Sequence, residues 1–392
     1  MSYGKNGFPL EQASKIGHLT MVTDPTIQQV METFQADSPG STAPLITKTG
    51  TLDLSAKTKN NRIVTIDGGQ AVVPNPIRRE KCVAFVQVGA CMLKMEDLRY
   101  MRDHPMMDPR EIQKRTEGAI WYNPAVIPLA GIRLPGRTVK ETIRLLLHST
   151  LSATHTGLYE TLKYLVYREW ESTWPVDIDK PSMHCLSNTC EKAFELPHGA
   201  VLFKCPHCQH EHWLSDYLSL AESSPDEWSK DDAANALRDV LETLTLFHFL
   251  KRHHNNPKVM SETLFIKDGP LLLRAALSRL VEPIRSFIGM IKAKGLTLHL
   301  IGVEKTGDVV NLLEEFKSCL PESGDYFVPT VRFLLEEVAG KTLQSNYRNR
   351  VSYGAKVAAR IGNERPGAPV LLIDHRQRSC HRPKCAYRRV FA

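Results

Sequence analysis

The sequence has no apolar run of the ~18 residues that a membrane-spanning helix needs. Its first residues, MSYGKNGFPLEQASK, also lack the apolar segment of a signal peptide. The chain carries nine cysteines, an odd number that intrachain disulfides cannot pair completely. We therefore expect a cytoplasmic protein with reduced thiols and no membrane association.

The signature motifs of several enzyme classes are missing as well. The sequence has no GxxxxGK[ST] loop, which argues against a P-loop ATPase, and no GxGxxG after a predicted strand. It also lacks the GxSxG and HExxH motifs of serine hydrolases and zinc peptidases. Any catalytic site must therefore be built from side chains that these motifs do not describe.

The composition is that of an ordinary globular protein. Of the 392 residues, 42% are hydrophobic and 24% are charged, which is sufficient for a sizeable core. This length suits one large α/β domain with an insertion, or two domains. Fifty Lys and Arg against 43 Asp and Glu give a formal net charge of +7. That excess permits nucleic-acid binding without requiring it.

Two stretches place an aspartate directly before glycine at the end of a predicted strand. The β-branched run 63–66 leads to Asp67, where we expect the strand to end, and Gly68 and Gly69 follow. The apolar run 264–266 leads through Lys267 to Asp268 and Gly269. Two such strands side by side would pair the carboxylates, and paired carboxylates usually share cations. Taken alone, each Asp-Gly is more simply a turn that ends a strand.

Four cysteines have the spacing of a metal site. Four residues separate Cys185 from Cys190, fourteen residues separate Cys190 from Cys205, and two residues separate Cys205 from Cys208. Two such pairs can close a tetrahedral thiolate shell, so we predict a structural Zn²⁺ ribbon over residues 181–218. A closed four-thiolate site is not catalytic. We expect the nearby histidines to be polar surface groups or nucleic-acid contacts: His184, His207, His210 and His212.

A long helix is predicted from Asp226 to Arg252, because apolar residues recur there at three- and four-residue steps. Glu242 sits beside the apolar stripe, either as a boundary charge or as an inward functional carboxylate. If Asp67, Glu242 and Asp268 converge, they would suit Mg²⁺ or Mn²⁺ and metal-assisted phosphodiester cleavage. Lys305, at the end of a neighbouring predicted strand, would then neutralise charge on the phosphate.

The order of five stretches resembles the NurA nuclease family, and more closely bacterial NurA-like proteins that carry an inserted zinc ribbon. This resemblance implies an α/β fold, an RNase H-like mixed sheet flanked by helices. It also implies Mn²⁺-dependent DNA cleavage, as a 5′→3′ exonuclease and single-strand endonuclease, by a homodimer docked on a HerA-type hexameric ATPase. The stretches are TIDGGQ (65–70), CPHCQHEHWLSDYL (205–218), LET (241–243), LFIKDGPLL (264–272) and LIGVEKTG (300–307).

The resemblance also assigns site residues. Asp67 matches the first-strand acid of the family and Asp268 its second-strand acid, both as ligands of Mn²⁺ or Mg²⁺. Glu242 matches the helical metal-binding acid, with Asp239 as a rival. Lys305 matches a polar position at the next strand end.

The C-terminus departs from the family. NurA-like chains usually end with a further acidic or histidine metal ligand, whereas this chain has Asp374 and His375 and then the basic CHRPKC tail. Those two residues either substitute for the missing ligand or belong to a different ending.

These observations predict a nuclease domain over residues 1–180 and 219–375, interrupted by the ribbon at 181–218 and followed by a basic tail at 376–392. The expected activity is metal-dependent DNA cleavage with a HerA-type partner, in DNA-end processing or defence against phage. The competing interpretation is a non-catalytic zinc-ribbon subunit that binds DNA or serves as a scaffold.

Overall fold

The computed structural model describes most of the chain beyond residue 45. Every described residue except Ile46 belongs to one compact unit, Thr47–Ala392. Lys305 and the basic tail at 376–392 lie outside the described residues, so the predictions for them stay untested. The described residues are 46–53, 59–74, 82–104, 106–116, 120–129, 132–153, 156–172, 174, 178–222, 230–273, 275–304, 320, 322–329, 355–360 and 370–375.

Thirteen strands are present in the described part of the chain. In chain order they are β1 (Ile46–Thr51), β2 (Arg62–Pro74), β3 (Cys82–Lys94), β4 (Ile120–Leu129), β5 (Ser182–His184), β6 (Ala193–Glu195), β7 (Leu202–Lys204), β8 (Glu211–Trp213), β9 (Thr263–Asp268), β10 (His299–Glu304), β11 (Asp325–Pro329), β12 (Ala355–Arg360) and β13 (Val370–His375).

Nine of these strands form one mixed sheet, in the spatial order β1-β11-β12-β13-β10-β9-β2-β3-β4. The centre is parallel, because β9 runs parallel to both β2 and β10. On one side β2, β3 and β4 form an antiparallel meander. On the other side β10, β13, β12 and β11 pair antiparallel. The predicted mixed α/β sheet is therefore present.

The helices are α1 (Met95–Asp103), α2 (Pro109–Thr116), α3 (Val139–Ser152), α4 (Leu158–Val166), α5 (Lys230–His253), α6 (Pro257–Glu262) and α7 (Val281–Ala293). Two 3₁₀ helices cover Leu214–Tyr217 and Ala275–Leu280. Among the helices that the structure describes, none is both long enough and apolar enough to cross a membrane.

The long helix α5 covers one face of the sheet. It contacts β2, β3, β4 and β9 on one side and α4 on the other. Residues 241–247 are consecutively buried, so this part of α5 is enclosed all round rather than along one stripe. The sheet contributes Val64, Ile66, Ala84, Val86 and Val88 to the same core. Alternate residues of β2 and β3 face away from α5.

The strand that carries Asp67 does not end there, contrary to the prediction. β2 continues to Pro74 and pairs with β3 at every position from Arg62↔Lys94 to Pro74↔Cys82. Gly68 and Gly69 lie within this ladder, and neither has a positive φ. The cross-strand hydrogen bonds hold the glycines extended, so a pattern that usually marks a turn lies inside a long hairpin.

Candidate functional site

The two aspartates of the Asp-Gly stretches occupy neighbouring strands. β2 and β9 pair in parallel from Arg62↔Thr263 to Ile66↔Lys267, and Asp67 and Asp268 are the next residues along the two strands. Adjacent strands lie about 5 Å apart, and residues at one level project from the same face. Asp67 is exposed and Asp268 is half-buried at the end of β9. The two carboxylates therefore share one row on one face of the sheet.

Asp67 lines a concave region of 730 Å³ on the face turned away from α5. Opposite Asp67 on β3 is Gly89, and the next residue on this face of β2 is Gly69. A Cβ added at Gly69 would meet no atom within 4 Å, so the region beside Asp67 is open. Phe85, which is 52% exposed, also lines this region. The volume lies in the range of small-molecule binding sites.

Glu242 belongs to α5, and its side chain lies between this helix and the opposite face of the sheet. It is 4% exposed, and its Oε2 accepts a hydrogen bond from Lys267 Nζ at 2.8 Å. Its Oε1 lies 3.6 Å from Arg238 Nε. A Cβ added at Gly68 would come within 2.7 Å of Oε1, so the helix packs directly on the residue that follows Asp67. Glu242 is thus an inward carboxylate, one of the two alternatives left open by the sequence.

Lys267 is a site residue that the sequence analysis did not identify. It is 1% exposed, and its Nζ also donates to Asp239 Oδ1 at 3.2 Å. Burial alone would lower the pKa of Lys267, but the nearby charges of Glu242 and Asp239 outweigh it and hold the pKa above its usual value. The alternation of side chains along β9 could have revealed this burial, because Lys267 lies on the same inward-facing side of the strand as Thr263 and Phe265.

The structure brings together some of the predicted ligands and separates others. Among the described residues, one group of three or more His, Cys, Asp or Glu side chains lies close enough together to hold a metal. This group is formed by the four cysteines of the ribbon. Asp67 and Asp268 share a row, whereas Glu242 faces Lys267 on the opposite side of the sheet. In the backbone ladder, Asp374 of β13 pairs with Gly302 of β10 and with Lys356 of β12.

The four predicted zinc ligands converge at the ends of two short hairpins. Cys185 and Cys190 lie between β5 and β6, and Cys205 and Cys208 lie between β7 and β8. All four sulfurs are within 4.8 Å of one another. The Sγ atoms of Cys185 and Cys208 are 3.5 Å apart, and those of Cys190 and Cys205 are 3.8 Å apart. A tetrahedron with metal–sulfur bonds of ~2.3 Å has edges of about 3.8 Å, so these cysteines can bind a metal such as zinc.

The surroundings of the cysteines also suit thiolate ligands. Backbone N–H groups two residues further along the chain point at two sulfurs, from Ser187 to Cys185 and from His207 to Cys205. Burial alone would raise the pKa of Cys205, but the N–H groups of His207 and Cys208 lower it to about 7. Burial raises the pKa of the Cys185 thiol to about 12, so a thiolate at that position needs a bound cation.

One of the ribbon histidines is not a surface group, contrary to the prediction. His212 is completely buried, with Nε2 3.4 Å from Cys185 Sγ and Nδ1 3.5 Å from Asp216 Oδ2. It is also stacked on Phe203, so its ring belongs to the small core of the ribbon. His212 is buried because the two hairpins of the ribbon pack against each other. The spacing of the histidines in the sequence does not show this burial.

A buried ion pair connects the ribbon to α3. Arg144 donates to both carboxylate oxygens of Asp216, at 2.9 and 2.7 Å, and to the carbonyl of Glu211 at 2.8 Å. Burial alone would raise the pKa of Asp216, but the nearby His212 ring and the hydrogen bonds from Arg144 outweigh it and lower the pKa. Since His212 also approaches Cys185, the metal site and α3 are linked through three consecutive side-chain contacts.

Substituting Met for Arg144 should destabilise the protein by roughly 3–5 kcal/mol, because Asp216 would remain buried without its cation. Urea denaturation of Arg144→Met measures this change. The matched control is Arg285→Met, which breaks an exposed pair with Glu282 and should cost at most about 1 kcal/mol. Equal losses for the two variants would show that the Arg144 contact does not join the ribbon to α3.

Comparison of the sequence with protein-family models gives no match, and no curated protein matches it either. The resemblance to NurA nucleases therefore depends on the residues of the sequence and their order alone.

Proposed function

We propose that this protein is a metal-dependent DNA nuclease with an RNase H-like core and a structural zinc ribbon. The observation that carries the proposal is the row formed by Asp67 and Asp268, two carboxylates on adjacent parallel strands. The mixed sheet with helices packed against it supports the RNase H-like assignment. The open region lined by Asp67 would give a substrate access to this aspartate.

The donor chemistry of the row suits the proposed cofactor. Carboxylate oxygens are the preferred ligands of Mg²⁺ and Mn²⁺, and these ions keep open positions for water and phosphate. Asp67 and Asp268 would hold the ion. Once bound, it would activate a water molecule and stabilise charge on the phosphate being cleaved. Two aspartates in one row repel each other, so they also gain from a shared cation.

The rest of the assembly follows from the resemblance and from the charge of the chain. The excess of seven positive charges favours contact with the DNA backbone. We place the protein in the cytoplasm as a homodimer that works with a HerA-type hexameric ATPase in DNA-end processing or phage defence. The ribbon has the role of a structural element, because its four sulfurs leave a bound metal no open position.

The test is cleavage of end-labelled single- and double-stranded DNA by the full-length protein, with EDTA, Mg²⁺ or Mn²⁺. We expect cleavage with Mn²⁺ and none with EDTA. Salt-dependent DNA binding without cleavage under any metal would favour the non-catalytic ribbon subunit. Adding the HerA-type ATPase to the same reactions distinguishes an obligate partner from an inactive protein, because only the former gains cleavage.

A further inference from the structure

A completely buried lysine lies directly behind the aspartate row. Lys267 Nζ donates to Glu242 Oε2 at 2.8 Å, to Asp239 Oδ1 at 3.2 Å and to the carbonyl of Asp268 at 3.0 Å. An ammonium group has three hydrogens to donate, and these contacts use all three. A buried charge is tolerated when it is paired and hydrogen-bonded in this way. Lys267 is therefore a buried charge whose hydrogen-bonding capacity is fully satisfied.

The carboxylate of Glu242 likewise has a partner at each oxygen. Its Oε2 accepts from Lys267, and its Oε1 lies 3.6 Å from Arg238 Nε. Both carboxylate oxygens of Glu242 thus face a cation supplied by the chain itself. Asp239, one turn earlier on α5, is also bound to Lys267, although its side chain is 34% exposed. The two acids that competed for the role of helical metal ligand both contact the same lysine.

The network touches both strands of the aspartate row. Lys267 is paired with Ile66 in the β2–β9 register, immediately before Asp67 and Asp268. The bond to the carbonyl of Asp268 fixes the end of β9, where Gly269 leaves the strand with a φ of +80°. On the neighbouring strand β2, Gly68 lies against Glu242 because it lacks a Cβ. The lysine and its partner acid thereby hold α5, β9 and β2 together at the level of the two aspartates.

We infer that Lys267 is a positioning residue for the Asp67–Asp268 metal site, and that Glu242 is the counter-ion of Lys267 rather than a ligand of the metal. The positioning role rests on the proposed nuclease function, whereas the counter-ion role does not. Lys267 acts through Asp268, whose backbone it anchors from the covered face of the sheet. Partners of this kind, one step behind a metal ligand, typically change metal affinity by 10–100-fold when they are removed.

The test is Mn²⁺ binding to the zinc-loaded full-length protein. Binding is measured as the loss of the electron paramagnetic resonance signal of free Mn²⁺. The variants are Lys267→Met, Glu242→Gln and Asp268→Asn, each checked for folding by circular dichroism. We expect Asp268→Asn to weaken Mn²⁺ binding by about 100-fold and Lys267→Met by about 10-fold. Glu242→Gln should change it by less than about threefold, because the amide still accepts a hydrogen bond from Lys267.

Binding as weak in Glu242→Gln as in Asp268→Asn would overturn the counter-ion role and make Glu242 a ligand. Wild-type Mn²⁺ affinity in Lys267→Met would overturn the positioning role while leaving the nuclease proposal intact. Absence of Mn²⁺ binding in the wild type would overturn the positioning role together with the proposed function.

A thermal double-mutant cycle tests the counter-ion role without any metal or DNA. Each single variant should lower the melting temperature by roughly 5 °C or more, because it leaves a buried charge without its nearest partner. The double variant Lys267→Met/Glu242→Gln should lose clearly less than the sum of the two. Additive losses would show that the two side chains do not balance each other.

Discussion

Asp268→Asn is expected to abolish Mn²⁺-dependent DNA cleavage, with a loss of at least about 100-fold. Asparagine keeps the size of the side chain and its position at the end of β9, but it removes the negative charge that a divalent cation requires. Asp67→Asn should have an effect of similar size, because the two residues share one row. The measurement is the initial rate of cleavage of end-labelled single-stranded DNA at saturating Mn²⁺.

The matched control for this prediction is Glu282→Gln, which removes one charge from an exposed carboxylate on α7. Its rate should equal that of the wild type. A folded Asp268→Asn protein that retains the wild-type rate would show that the aspartate row is not the catalytic site. Loss of cleavage in the control as well would point to general electrostatics instead of a specific metal ligand.

Removal of zinc is expected to unfold the ribbon. Its four strands have three residues each, and two-stranded sheets of this size are marginal in water without further support. The buried side chains that the hairpins of the ribbon contribute are few, among them Met183, Phe194, Phe203 and His212. Structural zinc sites typically contribute about 10–16 kcal/mol to the folding of such modules. Chelation or Cys205→Ser should therefore expose residues 182–213 to rapid proteolysis and hydrogen exchange.

The nine-stranded sheet should keep its protection in the same experiment, because its strands pair with one another and not with the two hairpins of the ribbon. Cys91→Ser is the control, since this cysteine lies in β3 and should neither bind zinc nor alter the ribbon. Zinc content is measured by atomic absorption in each sample. Unchanged melting and unchanged proteolysis after verified zinc removal would refute the structural role of the metal.

Local patterns in the sequence were sufficient for the main elements. The β-branched run before Asp67 and the apolar run before Asp268 both form strands, and the two strands are neighbours. The cysteine spacing correctly predicted that the four thiols converge, because four ligands of one ion must meet at one point. These features are encoded within short segments, so they can be recognised without knowledge of the distant parts of the chain.

The parts that the sequence did not show depend on long-range contacts. Gly68 and Gly69 resemble a turn locally, but thirteen cross-strand pairs with β3 keep them extended. Lys267 resembles a solvated charge until α5 places Glu242 against it. His212 likewise resembles a surface histidine until Phe203 and Cys185 pack against it. In each case the partner that decides the conformation or burial lies in another element.

The most direct test of the carboxylate site is a Mn²⁺ titration of zinc-loaded wild-type protein beside Asp67→Asn and Asp268→Asn. Binding is followed by electron paramagnetic resonance, and DNA cleavage is measured in the same samples. We predict that the wild type binds Mn²⁺ and cleaves DNA, and that each substitution weakens both together. Equal Mn²⁺ binding by all three proteins, or cleavage that does not depend on either aspartate, would contradict this prediction.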